Sequence, residues 1–103
     1  MKLYIAGPMS GIEDHNFPAF NRAADRLKEA GYEVENPADH GADGYFTWAD
    51  YMKLDIPLML KCDGVALLDG WTHSKGACLE VYIADALEMP RRYVDDWLVE
   101  ATK

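Results

Sequence analysis

Residues 64–70 read Gly64-Val65-Ala66-Leu67-Leu68-Asp69-Gly70, and they bear most directly on the fold. A short apolar run bounded by turn residues is typical of a buried strand. The Asp-Gly pair that follows predicts a turn at its end. We therefore expect the clearest buried strand of the chain here.

Strand-like and helix-like patterns alternate on the N-terminal side of this strand. Leu3–Ala6 predicts a first strand, and Tyr32–Glu35 predicts a second. Between them, apolar residues recur at helical spacing. Asn16 is placed to cap that helix, Pro18 is tolerated in its first turn, and Gly31 is placed to end it.

A second helix begins where Thr47–Asp50 has the form of a capping box. Pro57 interrupts its apolar pattern, and a proline inside a helix costs roughly 3 kcal/mol. We therefore expect a kink or a break near Asp55. Ser74 is placed to cap a third helix over Lys75–Glu88.

Arg92–Val94 predicts a last strand, and Asp95–Ala101 predicts a terminal helix. The order β-α-β-α-β-α-β requires parallel strands joined by right-handed crossovers, so the fold class is α/β. Ligands in such sheets bind at the carboxyl ends of the strands. Three segments meet there and should carry the chemistry, namely Gly7–His15, Pro37–Thr47 and Asp69–Ser74.

Composition limits the classes of function. The 103 residues fit a single domain, 1–103, and 50% apolar with 27% charged residues indicates a soluble globular protein. The net charge of −8 argues against binding duplex nucleic acid. The apolar runs are too short to span a membrane, and two cysteines are too few for a disulfide framework. We expect a reduced cytoplasmic protein.

Glu80 is the most informative candidate, because it stands in the otherwise apolar stretch Ala77–Ala84. Three of its four neighbours one helical turn away are small, Gly76, Ala77 and Ala84, so the carboxylate would stand over a shallow floor that a ligand could approach. Burying a charge without a partner is costly, so Glu80 requires a donor or a ligand. The alternative is a glutamate that reaches solvent along a narrow polar stripe.

Other candidates also have two interpretations. Asp55 could act chemically or cap the segment after a helix break. Tyr4 could be functional or a packing residue of the first strand. Trp71 and Trp48 could stack on a nucleobase or simply pack.

The loops give weaker signals. Gly7–Gly11 lacks both common phosphate-loop motifs but could present backbone N–H groups to an anion. Ser74 is first a helix cap and only second a phosphate contact. His15, His40 and His73 have no metal-ligand spacing, so no metal site is predicted.

Three motifs in this order resemble the nucleoside 2-deoxyribosyltransferase-like superfamily, and most closely a small branch common in phage and prophage genomes. The motifs are Tyr4–Gly11, Asp55 ahead of Cys62–Val65, and Ser74–Glu80, and together they span residues 3–88. The resemblance implies a flavodoxin-like, Rossmann-like three-layer sandwich with a parallel sheet of four or five strands.

The same resemblance implies site residues. The nucleophilic glutamate of the superfamily matches Glu80, and its strand-one tyrosine matches Tyr4, whose hydroxyl would orient Glu80 and keep it ionised. Asp55 would donate a proton or orient the leaving base. In the related deoxynucleoside monophosphate N-glycosidases, a serine that helps to hold the 5′-phosphate matches Ser74. Those enzymes use an arginine in the first glycine loop, where this chain has Ser10.

The implied substrate-binding residues lie in the first glycine loop and around the start of the third helix: Gly7, Pro8, Met9, Ser10, Gly11, Asp69, Trp71, Ser74 and Gly76. The implied function is cleavage or transfer at the N-glycosidic bond of a nucleoside or nucleoside monophosphate, with no metal or redox cofactor. A second hypothesis is a catalytically silent nucleotide-binding module on the same fold.

The third helix is apolar nearly all round, which predicts a second partner besides the sheet. A homodimer or larger assembly would supply one, with Trp48, Tyr51 and Met52 as candidate interface residues. The alternative is that the terminal helix, with Tyr93 and Trp97, folds back and covers this surface.

Overall fold

Within residues 1–40 and 47–103, the part of the chain that the computed structural model describes, strands and helices alternate. The strands are β1 (Lys2–Ala6), β2 (Glu33–Glu35), β3 (Gly64–Leu67) and β4 (Arg91–Tyr93). The helices are α1 (Phe17–Glu29), α2 (Trp48–Leu60), α3 (Lys75–Ala86) and α4 (Val94–Ala101). Short 3-10 turns cover Glu13–Asn16, Pro37–His40 and Trp71–His73.

The four strands form one parallel sheet in the order β2-β1-β3-β4. Residues paired in register point to the same face of a sheet, and Tyr4 of β1 is paired with both Glu35 of β2 and Val65 of β3. The predicted α/β, flavodoxin-like parallel sheet is therefore confirmed, with four strands. The β-α order along the chain is confirmed as well.

Helices cover both faces of the sheet and complete three layers. On one face, Leu3 and Ile5 of β1 pack into a cluster with buried residues of α1 and α4. On the other face, Tyr4 and Ala6 pack into a cluster with buried residues of α2 and α3. Because consecutive strand residues alternate between faces, Tyr4 points into the α2/α3 layer.

Helix α1 ends as the sequence predicts and begins differently. Gly31 has φ = 100°, and the amides of Gly31 and Tyr32 bond to the carbonyls of Lys28 and Leu27, which is a Schellman termination. Asn16 occupies the cap position with a left-handed backbone (φ = 60°). Its side-chain amide donates to the Pro8 carbonyl instead of capping the helix.

Helix α2 runs unbroken from Trp48 to Leu60, so of the predicted kink or break near Asp55 the break is wrong. The Thr47–Asp50 capping box is present and starts the helix, and Met52 and Met59 anchor it in the core. Pro57 lies on the exposed side, where water can bond to the carbonyl that loses its helical partner. Asp55 is therefore an interior helix residue, and its interpretation as a cap is also wrong.

The remaining elements shift by a few residues. Helix α3 ends at Ala86, and Glu88 adopts a left-handed backbone (φ = 60°) before the chain enters β4 one residue earlier than predicted. Of the expected long loop 37–47, residues 37–40 form a 3-10 turn, and 41–46 lie outside the described residues. The described helices include none that is long and apolar enough to cross a membrane.

The terminal helix does not cover α3, because it packs in the opposite layer. Trp97 of α4 is buried in the cluster with α1, and its indole N–H donates to the Val65 carbonyl at 2.8 Å. The outer face of α3 stays exposed, with Tyr82 at 72% and Leu87 at 57% relative exposure. The alternative in which α4 folds back over this surface is wrong, because α4 follows β4 on the opposite face of the sheet, where Trp97 packs with α1.

Candidate active site

A pocket of about 620 Å³ opens at the carboxyl edge of the sheet, between β1, α2 and the start of α3. This volume lies within the range of roughly 300–1,000 Å³ that is usual for small-molecule sites. The pocket lies at the end of a parallel strand, where the topology predicts a ligand. Its lining residues are Tyr4, Ile5, Gly7, Pro8, Met9, Ser10, His15, Phe17, Phe20, Pro37, Trp48, Tyr51, Met52, Asp55, His73, Ser74, Lys75, Gly76, Ala77 and Glu80.

Tyr4 and Glu80 form a buried pair on the floor of this pocket. The Tyr4 hydroxyl donates a hydrogen bond to Oε2 of Glu80, and the two residues are 1% and 6% exposed. Strand β1 and helix α3 therefore each contribute one member. The solvent-facing alternative for Glu80 is wrong, and Tyr4 does more than fill space, because its hydroxyl bonds to the glutamate.

Asp55 faces the same pocket from α2 and is 8% exposed. Among residues 1–40 and 47–103, Oδ1 of this carboxyl is buried without a hydrogen-bond partner. A buried acceptor without a donor is costly, so a water or a ligand group that enters the pocket would be stabilised by donating to this oxygen. The structure thus brings Tyr4, Asp55 and Glu80 together, as predicted. Their chemical roles stay predictions.

Burial dominates the ionisation of both carboxyls. It raises the pKa of Glu80 from its ordinary 4.5 to about 8, although the Tyr4 hydrogen bond acts to lower it and nearby Asp55 adds to the rise. Burial also raises the pKa of Asp55 from 3.8 to about 6, with His40 opposing the rise and Glu35 adding to it. The Tyr4 pKa lies well above 10, mainly through burial and then through the two carboxylates.

These shifts correct one expectation. Tyr4 does favour the ionised form of Glu80, but burial outweighs that hydrogen bond, so Glu80 is mostly protonated at pH 7 in this structure. Asp55 is the more acidic of the two. Since interacting carboxyls titrate as a pair, the pair holds about one proton near pH 7.

The first glycine loop forms one wall of the pocket, and its shape depends on close contacts. A Cβ on Gly7 would lie 2.7 Å from Cβ of Leu68, so only glycine lets the ends of β1 and β3 approach. Asn16 holds the loop through its 2.9 Å bond to the Pro8 carbonyl. Asp14, His15 and Asn16 all have positive φ, which aspartate, histidine and asparagine tolerate better than most residues.

The start of α3 forms the opposite wall. Ser74 accepts a bond from the Ala77 amide at 3.1 Å, so its predicted capping role is confirmed. The Lys75 ammonium lies 3.9 Å from the centre of the Trp48 ring. A Cβ on Gly76 would lie 3.2 Å from Sδ of Met52, so this glycine also lets α2 approach α3. Anionic and aromatic ligand groups can both be accommodated here.

Three of the predicted binding residues are not among the described residues that line the pocket: Gly11, Asp69 and Trp71. Asp69 belongs to a turn closed by the Trp71 amide on the Leu68 carbonyl, in which Gly70 has φ = 83°. The Trp71 indole N–H donates to the Tyr93 hydroxyl at 3.2 Å, so this ring packs toward β4. The predicted floor of small residues is only partly present, since Ala84 is buried in the core cluster.

Sequence reasoning named Trp48 as a possible base-stacking residue but gave no site role to Tyr51, the second aromatic ring on this side of the pocket. Trp48 and Tyr51 line it together with Asp55, and their spacing of three, four and seven residues marks one face of α2. This spacing was a usable signal, although it had suggested an oligomer interface. The lining residues Ile5, Phe17, Phe20 and Met52 carried no site prediction. His15, Pro37 and His73 were predicted only as members of the three loop segments, and Lys75 only as part of the Ser74–Glu80 motif.

Comparison with known proteins agrees with this architecture. Residues 1–93 match the model of a family described as a domain of unknown function, DUF4406. No curated protein matches the chain in sequence. A solved structure, the 2-deoxyribosyltransferase of the psychrotolerant bacterium Bacillus psychrosaccharolyticus, superposes with a TM-score of 0.63 at 17% identity. The match covers 88% of this chain and 69% of that one.

Similarity at this level of identity concerns the fold. The shared fold agrees with the flavodoxin-like sheet described above, and the family match covers β1 through β4 with the pocket between them. The chain belongs to the DUF4406 family and shares the fold of a 2-deoxyribosyltransferase.

Proposed function

We propose that this protein cleaves or transfers at the N-glycosidic bond of a nucleoside or nucleoside monophosphate. The observation that carries the proposal is the arrangement of two buried carboxyls in one pocket, one bonded to Tyr4 and one, on Asp55, with an oxygen that lacks a partner within the described chain. The fold shared with a 2-deoxyribosyltransferase supports it. We also propose that this protein is related to the deoxynucleoside monophosphate N-glycosidases and to the branch of the superfamily that is common in phage and prophage genomes.

Glu80 would act on the sugar. Breaking the bond from C1′ to the base nitrogen leaves positive charge on the sugar, and a carboxylate beneath C1′ stabilises that charge or bonds to the carbon. Tyr4 orients Glu80 by donating to Oε2. The sugar becomes cationic as the bond breaks, and this positive charge favours the ionised form of Glu80 at the moment when the carboxylate is needed.

Asp55 would act on the base. When a base covers Asp55, further desolvation favours the protonated carboxyl, so the shared proton moves from Glu80 to Asp55. The leaving nitrogen takes that proton as the bond breaks. Water then attacks C1′ and returns a proton to Asp55, or the N–H of a second base does so in a transfer reaction, and Glu80 is released as the carboxylate.

The pocket also offers surroundings for the rest of such a substrate. Trp48 and Tyr51 supply aromatic surface for a base, and the amino end of α3 with Ser74 and Lys75 favours an anionic group. Ser10 stands in the first glycine loop as a neutral hydrogen-bonding group. A 5′-phosphate would therefore be held by α3 more than by that loop.

A panel assay tests the proposal. Purine and pyrimidine ribo- and deoxyribonucleosides, with and without a 5′-phosphate, are incubated with the protein, and free base is followed by chromatography. We expect base release from at least one member and its loss in Glu80→Gln. Glu29→Gln is the matched control, because Glu29 is an exposed glutamate on α1. Release that persists unchanged in folded Glu80→Gln would remove this glutamate from the mechanism.

A second candidate is a nucleotide-binding module without catalysis. The observation that favours it is the raised pKa of Glu80, because a protonated carboxyl is not a nucleophile. Calorimetric titration with the same panel distinguishes the two. Binding of a nucleotide that stays intact after long incubation with the wild-type protein would support the module.

A further inference from the structure

We propose that Lys75 is a positioning residue, which holds the ring of Trp48 in place as an aromatic wall of the pocket. Its Nζ lies 3.9 Å from the centre of the Trp48 ring, and both residues line the pocket. That Trp48 receives a nucleobase rests on the proposed function, whereas the coupling between Lys75 and Trp48 does not. Lys75 acts on the base through Trp48.

The two residues begin neighbouring helices. Trp48 is the first residue of α2, whose start is fixed by the capping box of Thr47 and Asp50. Lys75 is the first residue of α3, where the Ser74 side chain caps the helix. Both backbones are therefore fixed by hydrogen bonds at the point where the two side chains leave them.

Gly76 brings the two helices close enough for this contact. A Cβ on Gly76 would lie 3.2 Å from Sδ of Met52 and 3.4 Å from Nε1 of Trp48. The Nε1 edge of the indole therefore packs against Gly76, while the Lys75 ammonium lies over the ring. Trp48 is 40% exposed and lines the pocket, so part of its surface stays open to a ligand.

Helix α3 by itself does not explain a lysine at its first position. A positive charge is disfavoured there, because the amino end of a helix already carries a partial positive charge. Among residues 1–40 and 47–103, no carboxylate lies within 4.0 Å of the Lys75 ammonium to offset this cost. The Trp48 ring supplies a favourable contact, since the negative face of an aromatic ring attracts a cation.

A ring that is already held in place binds a flat group more tightly than a mobile ring does. A side chain that becomes ordered only on binding loses conformational entropy, and this loss weakens the affinity. Trp48 shares one face of α2 with Tyr51 and Asp55, so a base that covers Asp55 lies along the same wall. By fixing Trp48, Lys75 favours binding of the base without touching it.

The direct test is an NMR measurement on the indole N–H of Trp48, which requires no activity. Its signal is assigned by its loss in Trp48→Phe, and its heteronuclear NOE reports fast motion of the ring. We expect this NOE to fall in Lys75→Met and to stay at the wild-type value in Lys75→Arg, since arginine also stacks on aromatic rings. A wild-type NOE in Lys75→Met would overturn the proposal.

Two controls accompany this measurement. The indole N–H of Trp97 donates to the Val65 carbonyl and packs in the opposite layer, so its signal should stay in place and show that each variant is folded. Lys28→Met is the matched control, because Lys28 is an exposed lysine on α1 and is not among the described residues that line the pocket. This variant should leave the Trp48 signal unchanged.

A double-mutant cycle with a nucleoside substrate then tests the path through Trp48. A nucleoside carries no phosphate that Lys75 could bind directly. We expect Lys75→Met to raise KM by about two- to fivefold, and more than it lowers kcat, while Lys75→Arg restores KM. In the Trp48→Leu background, Lys75→Met should raise KM no further. Increases in KM that add in the double variant would overturn the positioning role.

The two arms separate this proposal from the proposed function. If wild-type protein releases no base from any member of the substrate panel, the proposed function fails. The NMR measurement still decides whether Lys75 holds Trp48, because it requires neither a substrate nor turnover.

Discussion

Replacing Glu80 by glutamine should change how the stability of the protein depends on pH. Glu80 has a pKa of about 8 in the folded chain and an ordinary value of 4.5 when unfolded. A carboxyl whose folded pKa is raised stabilises the fold fully below pH 4.5, and this contribution is lost as the pH rises through 8. Glutamine keeps an oxygen for the Tyr4 hydroxyl and cannot ionise.

The size of the effect follows from the same two values. At about 1.36 kcal/mol per pKa unit, the Glu80 contribution to the free energy of unfolding falls by about 3 kcal/mol between pH 5 and pH 8. In the difference between wild type and Glu80→Gln, the other titrating groups largely cancel. We therefore expect the variant to be more stable than wild type by about 1 kcal/mol at pH 5 and by about 4 kcal/mol at pH 8.

Urea unfolding at constant ionic strength, at half-unit steps from pH 5 to pH 8, measures this difference. Glu29→Gln, with its exposed side chain, should follow the wild-type curve throughout. Parallel curves for wild type and Glu80→Gln would refute the reasoning, because they would show that Glu80 titrates normally. A site that destabilises its own fold at neutral pH is expected where function, and not stability, has selected a residue.

Three further predictions follow from the same contacts. Tyr4→Phe removes the hydroxyl that lowers the Glu80 pKa. Base release at pH 7 should therefore fall by about tenfold for each unit by which the Glu80 pKa rises, and an unchanged rate across the pH range would contradict this prediction. Ser74→Ala removes the cap on the Ala77 amide and should lower the free energy of unfolding in urea by about 1 kcal/mol. It should also weaken the binding of a nucleoside monophosphate more than that of the nucleoside, and equal losses for both ligands would show that Ser74 does not bind the phosphate. The exposed face of α3 around Tyr82 should pair with a second copy of the chain, so light scattering at micromolar concentration should give a mass of at least twice 11.6 kDa. Tyr82→Glu should lower that mass, and a wild-type mass that stays at 11.6 kDa when the sample is concentrated would exclude the homodimer.

Local signals carried most of the fold prediction. Gly31, Thr47 and Ser74 act on backbone groups within a few residues, and all three end or begin helices where predicted. The predicted capping by the Asn16 side chain was wrong because its amide donates to the Pro8 carbonyl, eight residues away, in a loop whose shape the sequence does not show. The predicted helix break at Pro57 was wrong because the burial of other residues of α2 outweighs the local cost of a proline, so the helix continues.

The site was predictable in its members and not in its electrostatics. Glu80 could be found because a lone glutamate in an apolar helix needs a partner, and Tyr4 supplies that partner. The pKa order of Glu80 and Asp55 depends on burial by three separate elements, so no local pattern contains it. The orientation of Trp71 was equally hidden, since it depends on Tyr93 across the sheet edge.

The central claim is that Glu80 reacts at C1′ of a nucleoside in this pocket. The most direct measurement is the rate of free-base release from the nucleoside and nucleotide panel by wild type, Glu80→Gln and Glu29→Gln at equal concentration. We expect release by wild type and Glu29→Gln and none above background by Glu80→Gln. Equal rates for all three proteins, or no release of any base by the wild type, would contradict the claim.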